Sequence, residues 1–333
     1  MNQNANPERA SSKHCLDPKT AVRWAIILAG GDGKRLRPLT EVIAGDGRPK
    51  QFCSILGNET LLAQTRRRAA LAVQPPQTLF ALTRTHERFY NSLLKDVSDR
   101  QLVIQPQNAG TAPAILYSLL RLSHLDPTAT VVLLPSDHYV SDDDAFATYV
   151  ESAFESVRLR EDLVVLLGIK PEGPETEYGW IEPVSRGLVG NPDTLSWVRR
   201  FWEKPRPEFA RVLMKRGCLW NSFVMVGKVS AFLRMIQQTT PELLSRFRAI
   251  EPCFDTPDEE KSVRELYGEL PDVSFSQDVL AARPTNLAVL PVTGLAWNDL
   301  GRPERVVSTM TELASQKAYG PTVNLAGIPA SAY

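Results

Sequence analysis

Several features that mark other protein classes are scarce in this sequence. Only four of the 333 residues are cysteine, and no two of them form a C-x-x-C pair. This argues against a zinc site and a disulfide framework and favours reduced thiols. The longest apolar run, from Leu163 to Ile169, is far shorter than the ~20 residues that a membrane span requires. Residues 1–23 lack the apolar segment of a secretory signal, so we expect a disordered leader there and a cytoplasmic protein.

The sequence also has no excess of charge of either sign. Its 38 Lys and Arg residues balance 38 Asp and Glu residues, which gives a formal net charge of zero. A neutral chain offers no bulk electrostatic reason to bind nucleic acid or an anionic membrane, and we expect neither as a partner. Hydrophobic residues make up 43% of the chain, as in ordinary globular proteins that bury a sizeable core. A phosphate-binding site would therefore have to be built locally.

Apolar runs alternate with amphipathic segments along the first half of the chain. Strands are predicted at 25–29, 78–83, 102–105, 130–134 and 163–168, and helices at 60–72, 86–95, 111–124 and 143–159. Strands separated by helices of this length favour right-handed crossovers and a mainly parallel sheet with helices on both faces.

The second half has shorter strand candidates and a long charged helical segment. Strands are predicted at 179–183, 195–201, 219–226 and 286–292, and helical segments at 207–216, 229–238, 240–270 and 303–315. We predict one α/β domain over residues 24–315, followed by a tail at 316–333.

The segment after the first strand, Leu28–Leu39, reads L-A-G-G-D-G-K-R-L-R-P-L. Its three closely spaced glycines allow backbone N–H groups to converge on an anion, because no side chain blocks the approach. Three basic residues come next, Lys34, Arg35 and Arg37. Their charges suit a polyphosphate. The segment matches neither the dinucleotide-binding G-x-G-x-x-G pattern nor a Walker A loop. On the residues alone, a tight surface turn is the alternative.

This loop resembles the L-A-G-G-x-G-x-R-L-x-P-L loop of the sugar-1-phosphate nucleotidylyltransferases. The next segment, R-P-K-Q-F at residues 48–52, is similar to the P-K-Q-F of the mannose-1-phosphate guanylyltransferases within that family. Taken by itself, Lys50 is either a point charge beside the phosphate site or an ordinary exposed lysine. The resemblance implies nucleotide contacts along the loop, namely Leu28, Ala29, Gly30, Gly31, Asp32, Gly33 and Lys34.

Residues 105–115, Q-P-Q-N-A-G-T-A-P-A-I, join a predicted strand to a predicted helix. Gly110 permits close approach, and Thr111 can cap the helix, whose N-terminus would then face a base or a phosphate. The segment resembles the family's E-P-x-x-R-N-T-A-P-A-I, which contacts the nucleotide base. Gln105, Ala109 and Gly110 stand where the family has Glu, Arg and Asn. These departures leave the identity of the base open, with Gln105, Gly110 and Thr111 as candidate contacts.

The predicted strand 130–134 runs into Pro135, Ser136 and Asp137. Ligands of α/β sheets bind at the carboxyl ends of the strands, although an aspartate there can also merely cap a loop. The stretch L-P-S-D-H resembles a family motif whose Asp binds Mg²⁺, with Pro135 and Ser136 against the nucleotide. His138 is expected to be structural. Asp142–Asp144 superficially suggests the metal motif of glycosyltransferases, but we interpret it as the acidic first turn of the next helix.

Four motifs of the second half extend the resemblance. The stretches 178–181, 203–205 and 219–223 resemble Y-G-Y/W-I, E-K-P and W-N-S-G, although Phe223 replaces the glycine of the last motif. From the residues alone, Glu203 and Lys204 can equally be a surface ion pair, and Trp220 can be core. Residues 297–301 resemble W-x-D-L-G, whose Asp supplies a second carboxylate for Mg²⁺. The resemblance implies sugar-phosphate contacts at Tyr178, Gly179, Glu203, Lys204 and Asn221, and metal ligands at Asp137 and Asp299.

Taken together, the resemblance implies a Rossmann-like fold of the nucleotide-diphospho-sugar transferase type. It implies Mg²⁺-dependent transfer of a nucleotidyl group from a nucleoside triphosphate, most simply GTP, to a hexose 1-phosphate, most simply α-D-mannose 1-phosphate. Arg35, Lys50, Asp137 and Lys204 would be the catalytic residues. Because the last motif ends at Gly301, we expect no C-terminal β-helix or isomerase domain. A homodimer is left open.

Three other readings remain open at this point. The first is the same chemistry with another pair, such as glucose 1-phosphate with UTP or dTTP. The second is a non-catalytic sensor of sugar nucleotides or a regulatory subunit. The third is a metal-dependent glycosyltransferase, which rests on the acidic run at Asp142–Asp144.

Overall fold

The structure, a computed structural model, describes residues 22–184 and 195–316. The expected leader at 1–23 lies outside these residues except for its end, where residue 23 already begins the first strand. Of the expected tail at 316–333, only residue 316 is described, as the end of the last helix. Leader and tail otherwise stay predictions.

Strands and helices largely alternate through the first half of the chain. In the second half, some strands follow one another directly, and so do some helices. The strands are β1 (Arg23–Leu28), β2 (Thr78–Thr83), β3 (Leu102–Gln105), β4 (Thr130–Pro135), β5 (Tyr139–Val140), β6 (Val164–Ile169), β7 (Gly179–Pro183), β8 (Ser196–Glu203), β9 (Leu219–Lys228), β10 (Leu287–Val292) and β11 (Trp297–Asn298). The helices are α1 (Arg37–Ala44), α2 (Leu61–Ala69), α3 (Glu87–Tyr90), α4 (Thr111–Leu125), α5 (Asp143–Leu159), α6 (Pro207–Lys215), α7 (Val229–Thr239), α8 (Pro241–Ile250), α9 (Glu259–Gly268) and α10 (Pro303–Gln316).

A nine-stranded sheet with the order β3-β2-β1-β4-β9-β6-β10-β8-β7 forms the centre of the molecule. β1, β2, β3 and β4 pair in parallel, as predicted, and so do β6 and β10. β9 lies antiparallel between β4 and β6, and β8 lies antiparallel between β10 and β7. The predicted α/β fold with a mixed sheet is therefore confirmed, with parallel pairing confined to two blocks.

Each face of the sheet carries its own layer of helices. Alternate residues of the strands point to opposite faces, so Ile26 and Leu133 enter one core cluster while Ile27 and Val132 enter the other. The first cluster packs against α4, α7, α8 and α9, and the second against α2, α5 and α6. Helices cover both faces, as the near-continuous apolar runs of the central strands require.

A third, smaller cluster joins distant parts of the chain. Leu36 and Leu39, which follow the glycine-rich loop, pack with Leu300 and Val306 from the end of the described chain. A two-stranded sheet of β5 and β11 adds a second link, pairing Tyr139 with Asn298. These contacts bring the segment after β11 to the carboxyl ends of β1 and β4.

Two predicted helices differ from the structure. The predicted helix at 86–95 is only a 3-10 turn, Arg84–His86, and the single turn of α3. The predicted segment 240–270 is two helices, α8 and α9, separated by a 3-10 turn at Glu251–Cys253. Pro252 and Pro257 lie in this break, and proline removes a backbone donor and clashes with the preceding turn of a continuing helix.

Candidate active site

A cavity of about 280 Å³ opens at the carboxyl ends of β1 and β4. Its wall includes Gly30 and Gly31 after β1, Gln105 and Gly110 around the end of β3, and Asp137 after β4. Three stretches that the sequence singled out separately therefore meet around one space. The meeting follows from parallel pairing, because the carboxyl ends of adjacent parallel strands lie at one edge of the sheet.

The glycine-rich loop is held from behind by two side chains. Gln51 Nε2 donates to the carbonyl oxygens of Ala29 (3.0 Å) and Gly31 (2.7 Å), and Thr83 Oγ1 donates to that of Gly30 (2.9 Å). Within the described residues, the N–H groups of Gly31 and Asp32 donate to no protein acceptor. The loop thus keeps free donors for an anion. Gln51 was not predicted as a site residue, although it lies inside the P-K-Q-F motif.

Gly30 leaves no room for a side chain. A Cβ atom there would lie 2.7 Å from Gln105 Nε2 and 2.9 Å from Thr83 Oγ1. Gln105 is itself buried, and its Oε1 accepts a hydrogen bond from the Tyr267 hydroxyl at 3.2 Å. The loop and the residue that ends β3 are therefore packed directly against each other.

The segment at Gly110–Thr111 docks on the chain around Val273. Gly110 has φ +92°, and a Cβ there would overlap the Asp272 carboxylate and the Val273 carbonyl. The prediction that Thr111 caps α4 is wrong: Gly110 occupies the N-cap position, with no side-chain cap. Thr111 Oγ1 instead accepts a hydrogen bond from the N–H of Phe275 at 2.8 Å. The hydroxyl braces a neighbouring π-helical turn, Phe275–Leu280.

Lys50 is buried, with 8% of its surface exposed, so it is not an ordinary surface lysine. Its Nζ lies 3.3 Å from Asp137 Oδ2 and donates to the carbonyl oxygens of Asp299 and Leu300. The ammonium group therefore joins the carboxylate after β4 to the segment that carries Asp299. Local sequence gave no reason for Asp137 and Asp299 to come together, and Lys50 connects their segments.

The carboxylate of Asp137 is electrostatically stabilised. Burial would raise its pKa, but the charges of Lys50 and His138 and the hydrogen bond from Lys50 outweigh burial and hold the pKa below its usual value. His138, predicted to be structural, packs edge-to-face on Trp297 at 5.1 Å between ring centres. Asp137 is thus a charged group at the rim of the cavity.

Ser136 lies beside Asp137 but turns away from the cavity. Its hydroxyl donates to the carbonyl oxygen of Leu28 at 2.7 Å, and its own N–H donates to the same oxygen at 3.1 Å. The side chain is buried. Ser136, predicted as a nucleotide contact, therefore fastens β4 to the start of the glycine-rich loop, whereas Leu28 and Pro135 line the cavity.

Asp299 is oriented by a residue that the sequence did not suggest. Arg305, on α10, donates from Nη1 to Asp299 Oδ1 at 2.8 Å and binds Glu175 through Nη2. The same Asp299 oxygen accepts the N–H of Gly301 at 2.8 Å. Arg305 is mostly buried and lies over the ring of Tyr178, 4.3 Å from its centre. No motif marks Arg305, and two of its partners, Glu175 and Tyr178, are distant in sequence.

Arg35 lies at the surface, with 65% of its side chain exposed. Glu177 accepts a hydrogen bond from Arg35 at 2.9 Å and forms an ion pair with Arg302 at 3.0 Å. Burial would raise the pKa of Glu177, but the Arg35 hydrogen bond and the Arg302 charge hold it below its usual value. Lys34 is also exposed and lies 3.6 Å from Asp32. Lys34 and Arg35 are thus exposed cations that are paired with acidic side chains.

The predicted sugar-phosphate residues lie on or directly beside β7, β8 and β9. Gly179 pairs with Glu203 across β7 and β8. Burial raises the pKa of Glu203, and the charge of Lys204 only partly opposes this. Lys204 is half exposed and lies 3.8 Å from Glu203 Oε1. The pair sits at the end of β8, with Glu203 largely shielded from solvent.

Tyr178 and Asn221 complete this group of five residues, none of which lines the 280 Å³ cavity. The ring of Tyr178 packs edge-to-face on Trp220 and Trp297, with centres 5.0 and 5.2 Å away. Asn221 Oδ1 accepts a hydrogen bond from the N–H of Phe223 at 3.1 Å. Trp220 is buried, as the core alternative predicted. Of the β9 residues after Trp220, Phe223 is the one that reaches the cavity.

The acidic run at Asp142–Asp144 is confirmed as the beginning of a helix. Asp142 caps α5 by accepting a hydrogen bond from the N–H of Ala145 at 2.9 Å. Asp143 binds Arg67 and Arg68 at 2.6 Å each. Both carboxylates are used within the fold, which does not favour the glycosyltransferase reading.

The donor set suits a hard cation that is only partly held by protein. Asp137 and Asp299 supply carboxylate oxygens on segments joined by Lys50. Among residues 22–184 and 195–316, no three metal-ligating side chains come together. Mg²⁺ favours oxygen ligands, is commonly held by one or two carboxylates, and takes its remaining ligands from water and substrate phosphates. The residues therefore suit a partly hydrated Mg²⁺ better than a metal ion held entirely by protein side chains.

Comparison with known proteins gives a consistent result. The family model described as "Nucleotidyl transferase" matches residues 24–316. The protein is 28% identical over 288 residues to mannose-1-phosphate guanylyltransferase 2 of Escherichia coli O157:H7, covering 83% of this chain and 58% of the relative. It is 26% identical over 300 residues to the alginate biosynthesis protein AlgA of Pseudomonas syringae, covering 89% and 59%. The chain thus spans less than two thirds of the length of these relatives.

Solved structures share the fold. A crystal structure described as mannose-1-phosphate geranyltransferase from Thermus thermophilus superposes with a TM-score of 0.73 at 28% identity, covering 86% of this chain and 79% of that one. A structure described as mannose-6-phosphate isomerase from Helicobacter pylori gives a TM-score of 0.65 at 21% identity, covering 83% and 99%. None of the helices in the described residues is long and apolar enough to cross a membrane.

Proposed function

The chain belongs to the nucleotidyl transferase family, and on this premise we propose that it transfers a nucleoside monophosphate from a nucleoside triphosphate to a hexose 1-phosphate. GTP is the proposed donor and α-D-mannose 1-phosphate the proposed acceptor. The products would be GDP-mannose and pyrophosphate.

The observation that carries the proposal is the position of Lys50. Its ammonium group joins Asp137, on the rim of the cavity, to the backbone of Asp299 and Leu300. Gly30 and Gly31 of the glycine-rich loop line the same cavity as Asp137. A site with backbone N–H donors for an anion in one segment and carboxylates in two others suits a triphosphate bound together with a cation.

The reaction is an in-line displacement at the α-phosphorus. An oxygen of the sugar phosphate attacks, a new P–O bond forms, and the bond from the α-phosphorus to the oxygen leading to the β-phosphate breaks. The pyrophosphate takes this oxygen and its electron pair. No covalent intermediate with the protein is needed, so the chain contributes positioning and charge.

Each group of residues has a role in this scheme. The loop N–H groups and Arg35 would bind the phosphates of the donor. Lys204 would hold the acceptor phosphate, and Glu203 would accept hydrogen bonds from sugar hydroxyls. Asp137 and Asp299 would hold Mg²⁺, with Lys50 and Arg305 fixing their positions. When bound, Mg²⁺ would neutralise phosphate charge and polarise the reacting phosphate group.

The choice of guanine and mannose rests on likeness rather than on geometry. Curated relatives bear the name mannose-1-phosphate guanylyltransferase at 27–30% identity. R-P-K-Q-F at residues 48–52 supports the same choice. The unusual residues at Gln105, Ala109 and Gly110 lie where the family contacts the base. The preference among nucleoside triphosphates should therefore be measured first.

The test is a matrix of GTP, UTP, dTTP and ATP against mannose 1-phosphate and glucose 1-phosphate, with Mg²⁺, read by pyrophosphate release. Release with GTP and mannose 1-phosphate supports the proposal. Release with another substrate pair alone would support the proposed reaction type and overturn the choice of GTP and mannose 1-phosphate. If a folded protein releases no pyrophosphate with any pair, the enzymatic proposal is wrong and a binding or regulatory role takes its place.

A further inference from the structure

Phe223, at the wall of the cavity, has an unusual backbone conformation. Its φ is +61°, in the left-handed region where bulky side chains are strained. The stretch Trp220–Phe223 resembles W-N-S-G, in which this position is glycine. Glycine adopts positive φ without penalty, whereas phenylalanine does not. This chain therefore keeps the backbone shape that suits glycine but places an aromatic ring on it.

The strained conformation is fixed by its surroundings. The pairing of β6 with β9 shifts register, from Leu166 opposite Met225 to Gly168 opposite Asn221. The N–H of Phe223 donates to Asn221 Oδ1 at 3.1 Å. Ser222 Oγ donates to the Leu167 carbonyl at 2.6 Å and accepts the N–H of Val224 at 3.2 Å. Such irregularities redirect side chains beside functional sites.

The redirected ring lines the 280 Å³ cavity. Behind it, the ring packs edge-to-face on Phe275, with 6.4 Å between centres. Phe275 is held in turn by Thr111 Oγ1 through its N–H. The ring is therefore supported by the protein on one side, while its half-buried remainder faces the cavity.

The rest of the cavity wall suits a flat ligand. Gly30, Gly31 and Gly110 bring backbone without side chains, and Ala114 contributes a methyl group. Gln105 and Asn108 add polar side chains to the same lining. Their amide oxygens already accept hydrogen bonds from the Tyr267 hydroxyl and the N–H of Gly110. Phe223 is the largest apolar side chain of the lining. An aromatic face with amide groups nearby is chemistry that recognises a planar heterocycle.

We propose that Phe223 is a nucleotide-binding residue whose ring packs against the nucleobase of the bound nucleotide. This inference rests on the proposed function, because it takes the cavity to hold a nucleoside triphosphate. The ring would supply the apolar contact, and the strain at Phe223 would be retained for that contact. A role only in folding would require the packing of the half-buried ring on Phe275 and the core to offset this strain, whereas glycine fits the same backbone without strain.

The test compares binding of GTP with binding of inorganic triphosphate, which has the phosphates but no base. Affinities are measured by calorimetry with Mg²⁺ for the natural protein and for Phe223→Gly, Phe223→Leu and Phe223→Tyr. Gly removes the wall and the strain, Leu keeps apolar bulk and strain without the ring, and Tyr keeps the ring. Thermal unfolding of each variant serves as the control for folding.

We expect Phe223→Gly and Phe223→Leu to weaken GTP binding by about 5- to 100-fold, the range of aromatic–base contacts. Triphosphate binding should change less than about 2-fold, Phe223→Tyr should retain GTP affinity, and Phe223→Gly should be no less heat-stable than the natural protein. Equal GTP affinity in all variants, or parallel losses for GTP and triphosphate, would overturn this inference alone. A natural protein that binds no nucleoside triphosphate would overturn the proposed function with it.

Discussion

The ammonium group of Lys50 lies 3.3 Å from a carboxylate oxygen of Asp137 and is buried between β4 and the segment after β11. The same group donates to the carbonyl oxygens of Asp299 and Leu300. The ammonium group of Lys50 thus sets the relative position of the two carboxylates, Asp137 and Asp299, that are candidate metal ligands. Changes at this contact should affect both folding and turnover.

Lys50→Met tests this contact, because methionine keeps much of the apolar stem and removes the charge. The change leaves a carboxylate and two carbonyl groups without their partner, which we expect to lower the free energy of unfolding by about 1–3 kcal/mol. Loss of an arranged electrostatic contact should lower kcat/KM by about 10²–10³-fold. Chemical denaturation and pyrophosphate release measure the two effects. Lys261→Ala, on the exposed surface of α9, is the control and should change neither.

Asp137→Asn should remove nearly all turnover and leave the fold intact. The amide keeps the shape of the side chain but loses the negative charge that Lys50 and a bound cation require. Circular dichroism and thermal unfolding would check the fold, and pyrophosphate release would measure turnover. An Asp137→Asn protein that is folded and fully active would contradict the assignment of Asp137 as a metal ligand.

Arg305→Lys should lower kcat more than it raises KM for the triphosphate. Lysine keeps the positive charge but cannot bind Asp299 and Glu175 together, so Asp299 would lose its fixed orientation. We expect kcat to fall by about 10-fold or more, since misplacement of a positioned group is costly. Arg264→Lys, at an exposed ion pair with Glu260 on α9, is the matched control. Equal kinetics for both variants would show that Arg305 does not position Asp299.

Gly30→Ala and Gly31→Ala form a pair that tests the packing of the glycine-rich loop. A Cβ at Gly30 would meet Gln105 and Thr83 at 2.7 and 2.9 Å, whereas one at Gly31 meets nothing within 4 Å. Gly30→Ala should destabilise the protein by about 1–3 kcal/mol through overpacking, and Gly31→Ala should leave its stability nearly unchanged. Thermal unfolding of both variants checks this. Equal stability would mean that the loop does not pack on β3 as described.

Glu177 gives a prediction for pH. Its pKa is held below its usual value by Arg35 and Arg302 despite burial, so its ion pairs stabilise the folded chain at neutral pH. That contribution should disappear as the pH falls from the ordinary range of a glutamate carboxyl through the lowered pKa of Glu177. Since both arginines are largely exposed, Glu177→Gln should cost at most about 1 kcal/mol at pH 7. Unfolding of both proteins between pH 3 and pH 7 should therefore show a difference that vanishes at the acidic end. A difference that grows on acidification would contradict the arrangement.

Sequence predicted most of the fold and most of the segments of the site. The runs around β1, β4 and β6 are apolar enough to identify a buried sheet, and the motif positions identify the loops at its edge. What sequence missed depends on distant partners. Thr111 satisfied the local rule for a helix cap, but its hydroxyl accepts a hydrogen bond from the N–H of Phe275, 164 residues away. Arg305 carries no local signal, and Lys50 could be judged buried only once Asp137 and Asp299 were placed around it.

The most direct test of the central claim is a ³¹P NMR time course of the natural protein with GTP, mannose 1-phosphate and Mg²⁺. We expect pyrophosphate and the diphosphate resonances of GDP-mannose to grow together in equal amounts, at the expense of both substrates. Growth of orthophosphate with GDP, or unchanged resonances from both substrates in the presence of folded protein, would contradict it.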